Sequence, residues 1–200
     1  MNSTKKKIGI FGGTFNPPHI AHSIIAMEIK DILNLDFILF IPSGNHPLKD
    51  SISSEHRFSM AKLAFSDNEY FEVSDIEIKK KSGKTYTVDT LNDLKVIYKN
   101  ESSEFYLIIG ADNLIELSKW KQPDKLFELS KVVVIGRPGF DQSKAEKKFL
   151  RNVIIPDVPM IEISSSGIRK KIQENKPVKY LVHPDVENYI LENNLYKNYS

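Results

Sequence analysis

Short runs of Ile, Val and Phe alternate along the chain with segments whose apolar residues recur at helical spacing, the pattern of a parallel sheet buried between helical layers. The first run, Lys7 to Phe11, ends in Gly12-Gly13 and predicts a strand. A helix is expected from about Pro18 to Leu33, with Ile20, Ile24 and Met27 along it. Pro17 and Pro18 suit its entry, where proline removes no donor that the helix needs. Phe37 to Ile41 predicts a second strand stopped by Pro42, and Ser54 to Phe65 a second helix capped by Ser54. By alternation Phe71 to Ile78 is a third strand, and Val88 to Tyr98 has the period of a third helix. Phe105 to Ile109, closed by Gly110, and Lys131 to Ile135, closed by Gly136, are buried strands. Val153 to Ile155 and Ile161 to Ile163 are short extended pieces, followed by helices from about Ser166 to Glu174 and Pro184 to Asn193.

No repeat, low-complexity tract or linker divides the sequence. Residues 1–200 are therefore expected to form one domain, with its core from about residue 7 to residue 196. The expected architecture is α/β: a Rossmann-like, doubly wound parallel sheet with C-terminal helices. Ligands of such sheets bind outside the carboxyl ends of the strands, where the strand order reverses. That points to the loops beginning at Gly12, Pro42, Gly110 and Gly136.

Composition narrows the partners. With 40% hydrophobic and 27% charged residues the chain has the make-up of a folded protein. A formal net charge of +2 offers little to a nucleic acid, and Lys5 to Lys7 and Lys79 to Lys81 are runs short enough to be solvated surface. The absence of cysteine excludes disulfides, cysteine-ligated zinc and thiol catalysis, and agrees with a reducing cytoplasm. The apolar stretch behind the N-terminal lysines is only about five residues, short of the ~7–15 of a signal peptide. No window approaches the ~18 apolar residues of a membrane span. A cytoplasmic protein with neither nucleic-acid nor membrane partner is expected, and a homo-oligomer is left open.

The chemistry concentrates in Gly12-Gly13-Thr14-Phe15-Asn16-Pro17-Pro18-His19-Ile20-Ala21-His22, between the first strand and the first helix. Two glycines let a backbone approach a phosphate, and the helix behind them supplies N–H donors and a favourable dipole. His19 and His22 are three apart, which puts both imidazoles on one face of the first helical turn. Two such donors beside an anion hole suit a phosphoryl group in its transition state. A glycine pair after a strand is by itself an ordinary turn, and two histidines can also ligate a metal, although no third ligand stands nearby. Neither a dinucleotide fingerprint nor a P-loop is present: Gly83-Lys84-Thr85 has Ile78 where a P-loop requires glycine.

GGTFNPPHIAH resembles the GGTFDPxHxGH signature of the cytidylyltransferase-like nucleotidyltransferases. HRFSMAKLA, TYTVDTL, FYLIIGADNL with Trp120 behind it, VVVIGRPG, ISSSGIRKKI and YLVHPDVENYI then follow in the order and approximate spacing of the bacterial nicotinate-nucleotide adenylyltransferases. The resemblance runs from Ile8 to about Tyr196. It implies transfer of AMP from ATP to nicotinate mononucleotide, releasing pyrophosphate, with Mg²⁺ held mainly by the phosphates. It implies phosphate contacts from His19, His22, Lys49 and Arg169 as the catalytic set. ATP would be bound by Gly12, Gly13, Thr14, Phe15, Gly110, Asp112, Ser165, Ser166 and Arg169. Nicotinate mononucleotide would be bound by Thr14, Asn16, Lys49, Thr85, Tyr86, Thr87 and Trp120, the Trp120 ring stacking on the pyridine. Read without the family, Ser165 and Ser166 are a helix cap beside a solvated Arg169, Asp112 caps a helix, Trp120 is core, and Arg57 forms a structural ion pair.

Four positions depart from the family pattern: Asn16 for Asp, Ala21 for Gly, Leu48 for His, and Lys121 for a second aromatic. The last two bear on the pyridine contacts. Nicotinamide mononucleotide as substrate, dual specificity, a phosphopantetheine acceptor, a non-catalytic nucleotide sensor and an RNA-binding module are the competing readings.

Overall fold

The computed structural model of the chain describes residues 5–44, 52–80, 84–99, 101–136, 141 and 144–197. Its sheet is built from β1 (Lys6–Gly13), β2 (Phe37–Pro42), β3 (Phe71–Val73), β4 (Ser103–Gly110), β5 (Lys131–Ile135) and β6 (Val153–Ile154). All five pairings are parallel, in the order β3-β2-β1-β4-β5-β6. The chain starts at the centre, moves outward to β3, and returns to the other side of β1 to lay down β4. The connections leaving β1 and β4 therefore diverge, and a crevice opens between the carboxyl ends of these two neighbours. The expected doubly wound sheet is present.

Side chains alternate across the sheet because successive Cβ atoms point to opposite faces. Ile8, Ile10, Leu39, Ile41, Leu107, Ile109, Val132 and Val134 face one layer. There they meet α3 (Thr87–Ile97), α4 (Ala111–Ile115), α5 (Pro123–Leu129) and α6 (Lys147–Leu150) through Leu91, Leu94, Leu114, Leu126 and Phe149. Ile38, Phe40, Tyr106, Ile108, Val133 and Ile135 face the other layer, against Ala26 and Ile29 of α1 (Ile20–Leu33) and Ala61 and Phe65 of α2 (Ser54–Phe65). The rings of Phe40 and Phe65 stack with centroids 3.7 Å apart, and Phe15 and Phe71 abut Phe40 edge-on. From its other side α2 gives Met60 to a third cluster, made with Ile168 and Ile172 of α7 (Ser165–Gln173) and Val186 and Ile190 of α8 (Pro184–Glu192). Thus α2 joins the sheet to the C-terminal helices.

Several local expectations are corrected. The third strand ends at Val73 instead of Ile78, because the amides of Ile78 and Lys79 turn back onto the Asp75 carbonyl. Ile161 to Ile163 joins no strand. The first helix begins at Ile20 with His19 as its cap, two residues later than Pro18. The second is capped by Ser53, whose hydroxyl accepts from the His56 amide at 3.4 Å, while Ser54 lies inside the helix. The helix expected behind Asp112 is α4, but Gly110 is its cap and Asp112 lies within it; α5 and α6 were not anticipated, since 7 and 4 residues are too few to display a helical period. Among the described residues no helix is long and apolar enough to cross a membrane.

Because Phe65 fills the stack between α2 and β2 with no exposed surface, Phe65→Ala is expected to lower the free energy of unfolding by about 3–5 kcal/mol, measured by urea denaturation.

Candidate active site

At the carboxyl ends of β1, β4 and β5 stand Gly12, Gly110 and Gly136, and a Cβ built on any of them would meet no atom within 4 Å. Packing explains other glycines of the region. A Cβ on Gly13 would lie 2.9 Å from the Phe15 ring, and one on Gly44 2.7 Å from the Glu77 carbonyl oxygen. It does not explain these three. Their missing side chains leave room in a cleft of about 860 Å³, lined also by Thr14, His19, His22, Asp112, Ser166 and Arg169. A pocket of this size, pre-formed and polar on one wall, fits a nucleotide-sized ligand.

The loop that carries the histidines is shaped from outside. Arg169 donates from Nη1 to the Asn16 carbonyl at 2.7 Å, and Ser165 Oγ to the Pro17 carbonyl at 2.8 Å. The Tyr196 hydroxyl donates to Asn16 Oδ1 at 2.6 Å, and the Ile20 amide to the Leu181 carbonyl at 3.0 Å. Burial raises the Tyr196 pKa well above its ordinary value, although Arg169 and Arg57 oppose the shift. The phenol therefore stays a donor. Phe15 adopts φ 47°, a conformation uncommon outside glycine, and its ring is buried against Phe11, Phe40 and Phe65, which holds it there.

His19 caps α1 and His22 occupies the third helical position, a spacing that closes a capping interaction. The His19 amide donates to Nδ1 of His22 at 3.1 Å. That bond makes Nδ1 the acceptor and leaves Nε2–H as the donor of a neutral His22 ring. The two imidazoles stack with centroids 3.7 Å apart, and the His22 ring lies edge-on to Phe15 at 5.1 Å. Both histidines line the cleft.

A second cavity of about 430 Å³ adjoins the first, and Gly12, Thr14 and Asn113 line both. Its other walls include Gly13, Ser43, Gly44, Thr85, Tyr86, Thr87 and Trp120. Tyr86 caps α3 without a side-chain bond, and among the described residues no hydroxyl or carboxylate takes its place on the first amides of that helix. Lys121 chelates Asp89 at 2.8 and 3.0 Å and stands 4.8 Å from the Tyr86 ring centre.

The residues singled out in the sequence thus fall into the two cavities, with differences in detail. Asn16 lines the larger cavity, and its buried side chain is bonded to Tyr196. Ser165 donates to Pro17, and Thr85 donates to Glu77 Oε2 at 2.9 Å, so neither hydroxyl hydrogen points to a ligand. Ser166 lines the cleft beside Ser164, which is the true cap of α7. Arg57 forms no ion pair with a carboxylate among the described residues; it is wholly buried and bonded to Thr14, Ser43 and Gly44. Lys49, Leu48 and Gly83 lie outside the described residues. Asn113 and Tyr196 were missed. Adjacency to Asp112 was the one hint for Asn113, and nothing local marks Tyr196.

The sequence model of the family described as Cytidylyltransferase-like matches residues 10–171. A "Probable nicotinate-nucleotide adenylyltransferase" of Caldicellulosiruptor saccharolyticus is 40% identical over 199 residues, covering 96% of this chain and 99% of that one. One of Dehalococcoides mccartyi is 43% identical over 199 residues, covering 95% and 97%. In three dimensions the chain is similar to Plasmodium falciparum nicotinic acid mononucleotide adenylyltransferase complexed with NaAD, with a TM-score of 0.78 and 23% identity over 96% of this chain and 97% of that one.

The space above Gly12 gives a direct test of the cleft. Gly12→Ala should unfold within about 0.5 kcal/mol of wild type, since its Cβ meets no protein atom within 4 Å, while activity falls about tenfold or more as a ligand is displaced. Full activity in a folded variant would show that this space is not used.

Proposed function

We propose how the two cavities divide the work from one premise: the chain belongs to the cytidylyltransferase-like family and, within it, to the nicotinate-nucleotide adenylyltransferases, and it transfers the adenylyl group of ATP to nicotinate mononucleotide in NAD biosynthesis. The observation that carries the division is the wall shared at Gly12, Thr14 and Asn113. Two anionic substrates seated on either side of that wall have their phosphates adjacent.

ATP, as its magnesium complex, takes the larger cavity, and nicotinate mononucleotide the smaller. An oxygen of the mononucleotide phosphate attacks the α-phosphorus of ATP; the new P–O bond forms as the bond to the β-phosphate bridging oxygen breaks, and pyrophosphate leaves. An ionised phosphate is already a nucleophile, so the protein needs neither a base nor a covalent intermediate. Its work is to hold two anions in line and to neutralise the charge that develops. The donor set supports this. His22 Nε2–H is the ring donor left after Nδ1 accepts from the His19 amide. Arg169 has further N–H groups beyond the one bonded to Asn16. Lys49 keeps its proposed phosphate contact on the strength of the motif. Among the described residues no three His, Asp or Glu side chains are grouped to hold a metal, which suits an ion carried on the triphosphate oxygens.

For the pyridine, Trp120 offers the stacking face. The uncapped start of α3 at Tyr86 and Thr87 offers backbone donors to the ring carboxylate. Those amides replace the Thr85 hydroxyl, which Glu77 engages. A neutral carboxamide would gain less from that helix terminus.

Pyrophosphate release with ATP and Mg²⁺ should be at least about tenfold faster with nicotinate than with nicotinamide mononucleotide at equal concentration. Equal rates would remove the role given to the α3 terminus, and no release with either from a folded, ATP-binding sample would sink the assignment of the cavities. His22→Ala is expected to lower kcat by about a hundredfold or more, as for a lost transition-state donor; turnover close to wild type would remove His22 from the mechanism.

A further inference from the structure

Among the described residues Arg57 is the largest fully buried side chain, and none of their carboxylates pairs with it. Nη1 donates to the Thr14 carbonyl at 3.1 Å and to Ser43 Oγ at 3.2 Å, and Nη2 donates to the Gly44 carbonyl at 3.0 Å. Nε is buried without a hydrogen-bond partner among the described residues. Every partner that those residues supply is a neutral acceptor. Tyr196, Glu55 and Glu77 act on it only at longer range; burial keeps the Tyr196 phenol protonated, Glu55 is engaged with the Ser53 and Ser54 side chains, and both Glu77 oxygens with the hydroxyls of Thr85 and Thr90. A buried guanidinium without a carboxylate is costly to the fold, and it does not shed its proton to escape.

Its three acceptors also line the substrate cavities. Ser43 and Gly44 belong to the smaller cavity, and Thr14 to the wall between the two. The cation therefore stands immediately behind the surface that, on the reading above, faces the mononucleotide. Exposed lysines on the same cavity are screened by water, and Lys121 is already held by Asp89. A charge in the interior is screened much less. It also acts through the peptide it touches: a guanidinium on the Thr14 carbonyl polarises that peptide, strengthening the amide on its opposite side as a donor.

We propose that Arg57 is a positioning residue that supplies the fixed counter-charge for the 5′-phosphate of nicotinate mononucleotide, acting through the Thr14–Gly44 wall without touching the substrate. The phosphate of the acceptor, and not the triphosphate of ATP, is the partner, because none of the three acceptors lines the larger cavity alone. The proposal rests on the assignment of the smaller cavity to the mononucleotide.

The test compares two ligands that differ only in the phosphate, nicotinate mononucleotide and nicotinate riboside. Their dissociation constants are measured by calorimetry on wild type, Arg57→Lys and Arg57→Met, with thermal unfolding of each protein recorded alongside. The wild-type preference for the phosphorylated ligand should fall by about tenfold or more in Arg57→Met and be largely restored in Arg57→Lys. A residue that merely braces the loops would weaken both ligands by the same factor, and an unchanged ratio in a folded Arg57→Met overturns the proposal. Failure of both variants to fold assigns Arg57 to structure alone and overturns it too. If wild type itself does not prefer the phosphorylated ligand, the assignment of the smaller cavity fails first, which distinguishes the two outcomes.

Discussion

Between Thr14 and Pro18 the main chain has left β1 and not yet reached the cap of α1, so its carbonyls have no ladder partners in either element. They are satisfied from distant parts of the chain. Arg57 of α2 holds the Thr14 carbonyl; Arg169 and Ser165 of α7 hold those of Asn16 and Pro17; Leu181 receives the Ile20 amide; and Tyr196 holds the Asn16 side chain. This set of bonds fixes where His19 and His22 stand. The sheet supplies only the point of departure.

Around that loop, two kinds of emptiness and one kind of density cooperate. Gly12, Gly110 and Gly136 leave the strand ends bare, which keeps the crevice of the doubly wound sheet open. Phe11, Phe15, Phe40, Phe65 and Phe71 pack beneath it, with rings meeting face to face or edge to face. The stiff aromatic floor lets a residue such as Phe15 persist at positive φ, and it carries the imidazole of His22 on its upper edge.

The sheet was legible because its strands are buried on both faces and read as unbroken apolar runs: β2 and β5 stand within a residue of their expected bounds, while β1 ends at Gly13 instead of Phe11 and β4 starts at Ser103 instead of Phe105. Local patterns failed where the deciding partner is far away in sequence. Ser165 next to Ser166 reads as a hydroxyl pair for phosphate, yet the carbonyl that claims Ser165 is 148 residues away, and Tyr196 reaches Asn16 across 180 residues. The Thr85 hydroxyl is engaged by Glu77, a residue expected in a strand that proves to be a turn. Arg57 was expected to seek a carboxylate, as buried arginines generally do, and a sequence gives no sign that its partners are carbonyls. Motifs located the cleft; which hydroxyl faces inward depended on long-range bonds that no window of sequence contains.

The order of these contacts along the chain has a consequence for synthesis. The histidine loop is synthesised well before the groups that brace it: Ser165 follows Pro17 by 148 residues, and Tyr196 follows Asn16 by 180. A nascent chain can pair β1 with β2 and bury its phenylalanines well before that, since domains assemble progressively as they emerge. It cannot shape the loop. Until the segment from Ser165 to Tyr196 has been made, the growing polypeptide lacks the bonds that set this loop, so a folded sheet can precede a working centre.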